Sequence, residues 1–124
     1  NNYLIHTDAV KNYVLPQSNY TKNTEWLAYA DEADLLNVAL FGCTAKAWRE
    51  ANPTLAKNSN IRDYASIAEL TVLSNLETHN AELIKSRMEK KERFEALRQI
   101  AQYQLRVLAE AEKIKELPTL EDKS

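Results

Sequence analysis

A chain of 124 residues with 44% hydrophobic and 27% charged side chains is one domain's worth of soluble globular material. Sixteen Lys and Arg against eighteen Asp and Glu give a net charge of -2, too balanced for a stand-alone DNA binder that must neutralise phosphates. A mean hydropathy of -0.53 with no long uncharged apolar run excludes a transmembrane helix, and a single Cys43 excludes an internal disulfide and favours a reducing compartment.

One glycine and three prolines leave little material for hairpin turns, and the chain is rich in Ala, Leu, Glu and Lys. These predict an all-α protein. No basic-then-apolar opening marks a signal peptide, and the start at "NNYLIH" without methionine suggests a fragment. Residues 3–14 form a short candidate helix ended by Pro16, and "QSNYTKN" reads as a loop. The triplet Asn19 to Thr21 fits a glycosylation acceptor, a pattern common by chance. "WLAYA" fits either a brief extended piece or a lead-in to the next helix.

Asp31 is a good N-cap for a helix over about 32–41, with Glu32 and Asp34 placing negative charge in its first turn. That helix is apolar nearly all round and should be central. Gly42 fits the left-handed position after it, Thr44 can cap a second helix, and "NP" at Asn52 and Pro53 closes that one. Ser66 with Glu69 forms a capping box for a helix to about residue 85, with Ile67, Leu70, Leu73, Leu76, Leu83 and Ile84 on one broad face. Ser86 with Glu89 repeats the box and opens a last helix, which Pro118 stops.

At about thirty residues this last helix is roughly 45 Å long, more than the diameter of a compact body this size, so it should overhang. It carries two apolar strips. Phe94, Leu97, Ala101, Leu105 and Leu108 can dock on the preceding helix. Ile100, Tyr103, Val107 and Ile114 need another partner, most simply a second copy, unless the N-terminal helix covers them. The predicted architecture is a single all-helical domain over 1–124: a small body with an αα-corner in 1–60 and a long antiparallel helix pair over 66–117.

The corner at Gly42 has the layout of a DNA-reading helix-turn-helix. Trp48 and Ala45 would face inward, while Lys46 and Arg49, with Thr44 and Asn52 near the helix ends, could contact DNA. Glu50 on the same face would repel phosphate, and any short αα-corner gives the same pattern, so a purely structural corner stays open beside it.

Other motifs suggest no chemistry. "DEAD" at Asp31 to Asp34 lacks the Gly-rich phosphate loop a helicase requires and fits dipole-matched capping. His6 and His79 are isolated, so no metal site is expected. Cys43 lacks a His partner and reads as a small apolar turn residue. The basic residues Lys85, Arg87, Lys90, Lys91 and Arg93 alternate with Glu89, Glu92 and Glu95, as on a solvated, ion-paired helix start, with phosphate contact as the alternative. Arg62 in "RDY" reads as a loop anchor pairing a carboxylate.

Long ordered strings carry a family resemblance. "YADEADLLNVALFGCTAKAWREANP" followed by "NIRDYASIAELTVLSNLETHNAELI" resembles the C-terminal region of bacterial and phage KilA-N-domain proteins. The matching blocks are Ala33 to Arg49, Asn60 to Ala65 and Val72 to Glu77, and "IHTDAVK" at Ile5 to Lys11 resembles the segment just upstream. The resemblance covers about residues 3–110. It implies a cytoplasmic, phage- or prophage-type accessory module whose DNA binding resides in a KilA-N domain missing from this chain. It implies no catalytic residue, cofactor or small-molecule substrate.

Overall fold

The computed structural model describes residues 25–116. The expected helix over 3–14, His6, the Asn19 triplet and the stop at Pro118 lie outside them. The chain is all-α. Among the described residues are helices α1 (Glu32–Phe41), α2 (Ala45–Ala51), α3 (Ile67–Lys85) and α4 (Lys90–Glu116), with 3₁₀ turns at Glu25–Ala28, Leu55–Lys57 and Ile61–Tyr64. "WLAYA" is therefore a helical lead-in rather than an extended piece.

Local chemistry sets each boundary. The Asp34 N–H donates to Asp31 Oδ1 at 2.7 Å and the Asp31 N–H donates to Asp34 Oδ2 at 3.2 Å, a reciprocal box that starts α1. Gly42 ends it in the left-handed region at φ 84°, its N–H bonded to the Val38 carbonyl. Thr44 Oγ1 then accepts from the Ala47 N–H at 3.0 Å and starts α2. Ser66 and Glu69 form the expected box before α3, with both bonds at 2.9 Å. Another box precedes the third 3₁₀ turn. There Asp63 anchors the turn, its carboxylate accepting the Asn60 N–H at 2.8 Å, while Arg62, expected to anchor the loop by pairing a carboxylate, is exposed.

Helices α3 and α4 form an antiparallel hairpin, and α1 packs across one face of it, touching both. Leu35, Val38, Val72, Leu76 and Leu97 fill the three-helix centre, while Trp48 pins α2 at its edge. At 27 residues against 19, α4 exceeds α3 by about 12 Å at 1.5 Å per residue.

The buried face of α3 differs from the expected one. Ile67, Leu70 and Ile84 are exposed, and the core side is built from Val72, Leu73 and Leu76 with Glu69 and Asn80 among them. Capping and hydrogen bonding put those two polar residues inside: Glu69 serves the Ser66 box, and Asn80 serves the network described below.

The hairpin turn departs from expectation as well. Ser86 does not open α4; it closes α3, its hydroxyl donating to the Glu82 carbonyl at 3.1 Å. The Arg87 N–H bonds the Ile84 carbonyl and the Met88 N–H bonds the Leu83 carbonyl, the pair of bonds of a Schellman motif. The left-handed position of this motif holds Arg87, at φ 61°, where a Cβ is unfavourable. Arg87→Gly is expected to stabilise the fold by about 0.5–1 kcal/mol, seen as a rise of roughly 2–4 °C in the thermal midpoint. A fall in the midpoint would show that unfolded-chain entropy outweighs the relief of strain.

Candidate functional site

Three places gather the residues with possible function: the corner after Gly42, the polar junction of α1 with the hairpin, and the outer face of α4.

At the corner, Trp48 is 1% exposed and stacks at a tilt on Tyr64, with ring centroids 5.7 Å apart. Of the four residues expected to face DNA, Lys46 and Arg49 are exposed, and Thr44 is half-buried as the cap of α2. Asn52 is turned into the core, because its Nδ2 donates to the Trp48 carbonyl at 2.9 Å. A side chain so used closes the helix and presents no free amide to a base edge. Glu50 shares the exposed side with Lys46 and Arg49. Beside the corner, Cys43 is fully buried, and desolvation pushes its thiol up to about 12. A thiol so held stays protonated at neutral pH and is a poor nucleophile.

The polar junction was not legible in the sequence. Arg93, expected on a solvated helix start, is 7% exposed. Its guanidinium bonds Glu32 of α1 in a fork, Nη1 to Oε1 at 2.6 Å and Nη2 to Oε2 at 3.1 Å. Nη1 also donates to Asn80 Oδ1 of α3 at 2.9 Å, and Nε donates to the Met88 carbonyl at 3.1 Å. Asn80 Nδ2 completes the ring to Glu32 Oε1 at 2.7 Å. One side chain thus ties three helices and the hairpin turn. The Arg93 hydrogen bonds hold the Glu32 carboxyl below its ordinary range, with partial burial opposing them. Lys90 is drawn in too, its Nζ donating to the Leu27 and Ala30 carbonyls at 3.2 and 2.7 Å. Neither cation is available to a phosphate.

The outer face of α4 matches the expected strip in three of its four members. Tyr103, Val107 and Ile114 are 60%, 46% and 68% exposed. Ile100 is half-buried and leans on the core. With His79 of α3 it lines an open depression of about 510 Å³, together with Ala96, Gln99, Tyr103 and Gln104. The Arg106 guanidinium lies 5.8 Å from the Tyr103 ring centroid and borders the strip. On the opposite edge of α4, Phe94, Leu97 and Ala101 are buried, and Leu105 and Leu108 pack against the core, as their spacing predicts.

Among the described residues, no group of three or more His, Cys, Asp or Glu could hold a metal ion, and no helix is long and apolar enough to cross a membrane. No family model, curated protein or solved structure matches the chain.

Proposed function

We propose that this chain is a non-catalytic assembly module, the accessory domain of a KilA-N-type DNA-binding protein of phage or prophage character acting in a bacterial cytoplasm. The observation that carries the assembly reading is the strip Tyr103, Val107 and Ile114, exposed on a helix whose inner side already packs against the core. An exposed apolar strip on an otherwise well-packed helix marks a partner surface. The KilA-N context rests on the ordered strings around "LLNVALFG", "NIRDYA" and "VLSNLE". In that reading, contact with DNA belongs mainly to an upstream domain, and this module brings protomers or partners together. Lys46 and Arg49 remain the only members of the expected corner set that stand free on the surface for a secondary DNA contact.

A partner face is dispensable for folding of the subunit itself. The double variant Tyr103→Glu/Val107→Glu, melted at low micromolar concentration where assembly adds little, is expected to stay within about 0.5 kcal/mol of the parent chain. If another part of the same chain covers the strip, two unpaired carboxylates become buried and the variant loses several kcal/mol. That loss would end the assembly reading.

A further inference from the structure

We infer that the turn between α3 and α4 is a hinge through which two copies of the chain can exchange α4, each hairpin straightening into one continuous helix. The exchange goes beyond the assembly reading, because it uses the buried side of α4 and does not involve the outer strip.

The first observation is the turn itself. Among the described residues Arg87 is the only one other than glycine with a positive φ, at 61°. The other left-handed junction, after α1, is filled by the chain's single glycine, Gly42. From Lys85 to Arg93 the chain reads "KSRMEKKER", with no glycine, proline or β-branched residue. Lys, Arg, Met and Glu are among the strongest helix formers. Lys85, Ser86, Arg87 and Glu89 are exposed, so tertiary packing does little to hold them in the turn. Local preference thus favours helix where the fold imposes a bend, and a short strained hinge between docked elements invites exchange.

The second observation is how little the backbone must change. In the closed turn the Arg87 N–H bonds the Ile84 carbonyl and the Met88 N–H bonds the Leu83 carbonyl. A continuous helix requires only that these two donors trade acceptors. The N–H groups at the start of α4, without intrahelical partners while the turn is closed, then gain carbonyls. Against this stands one side-chain bond, from Arg93 Nε to the Met88 carbonyl at 3.1 Å, which latches the turn shut.

The third is register. Asn75 bonds Gln104, and Asn80 bonds Arg93, and the midpoint of each pair falls within the turn, between residues 86 and 90. Two continuous helices over 67–116, each about 75 Å long, can therefore lie antiparallel about a two-fold axis at the turn and restore both pairings between copies. Helix α1 packs against α3 and α4 alike, so α4 of the second copy re-forms its contacts there, the bonds to Glu32 included. Mass action favours the closed chain in dilute solution and the exchanged pair as concentration rises. Because α4 must first leave both neighbours, folded chains interconvert slowly, and those folded in dilute solution stay closed.

A covalent link between α3 and α4 tests this. In Asn75→Cys/Gln104→Cys a short bismaleimide, added after refolding while Cys43 is buried, joins the two helices that touch. After refolding from urea at about 200 µM, the dimer is expected to carry links between chains on a denaturing gel, and the monomer links within one chain. Pairing through the outer strip would leave every link internal, which separates this exchange from the assembly reading. Tyr103→Glu/Val107→Glu, refolded in the same way, is expected to exchange as the parent does. Arg87→Gly relieves the closed turn and weakens the continuous helix, and is expected to reduce the interchain links at least about tenfold, whereas Arg87→Ala retains them. A circular dichroism spectrum matching the parent's confirms that each variant has folded. A refolded chain with internal links only, or interchain links that Arg87→Gly leaves unchanged, overturns the hinge.

Discussion

Arg93→Ala is expected to destabilise the fold by about 2–4 kcal/mol, a large share of the roughly 5–15 kcal/mol that a domain has. The substitution removes the fork on Glu32, the donor to Asn80 Oδ1 and the donor to the Met88 carbonyl together. Asn80 is itself buried, so its oxygen is left without a partner away from water. Glu32 retains partial access to solvent, which keeps the loss below that of a fully buried pair. Glu32→Gln should cost less, about 1 kcal/mol, and the double-mutant cycle should show coupling well above the few tenths expected of independent sites. Urea unfolding at neutral pH measures all four species. Additive single effects would mean that the two side chains meet in the structure without acting together.

The same network gives stability a pH dependence. The folded carboxyl of Glu32 lies below its ordinary value of 4.5. The contribution is therefore fully present above pH 4.5 and is lost as the pH falls through the lower folded value, where the unfolded chain binds the proton more readily. In Glu32→Gln this part of the acid sensitivity should vanish. An unchanged slope of stability against pH between the two proteins would place the acid sensitivity elsewhere.

Trp48→Ala is expected to have an effect of similar or greater size, about 3–5 kcal/mol. Trp48 heads the fully buried side chains, packs on Tyr64, and its carbonyl accepts both the backbone N–H and the Nδ2 of Asn52. Its loss leaves a void under α2, a helix of seven residues with little stability of its own. Trp26, edge-on to Phe94 at 5.1 Å near the start of α4, remains as the fluorescence probe. If the corner and the hairpin form one core, the Trp26 transition shifts to lower urea by roughly 1.5–3 M. An unshifted Trp26 transition would show that the corner is a separate, peripheral unit.

How far the sequence led follows from the range over which each signal acts. Caps are decided within four residues, so Asp31, Gly42, Thr44 and the Ser66–Glu69 box were readable where they stand. The Ser86–Glu89 spacing satisfied the same rule and misled, because the left-handed turn at Arg87 uses a residue that gives no glycine-like signal. Arg93 read as solvated because its neighbours alternate in charge. Its real partners lie 13 and 61 positions away, on helices whose packing no local pattern specifies. Similarly, Ile67 and Leu70 fit an apolar period on α3, but the site of the docked α1 decides which edge of that period is covered. The outer strip of α4 was legible because periodicity alone separates Tyr103, Val107 and Ile114 from the stripe of Phe94, Leu97 and Ala101.

Sedimentation equilibrium of the unaltered chain, run from about 1 to 200 µM to bracket a micromolar constant, addresses the assembly claim most directly. The average mass is expected to climb from 14.2 kDa to that of an assembly of copies as concentration rises, with Tyr103→Glu/Val107→Glu held at the single-chain mass. A parent chain fixed at 14.2 kDa throughout, or a variant that climbs alongside it, would contradict the account.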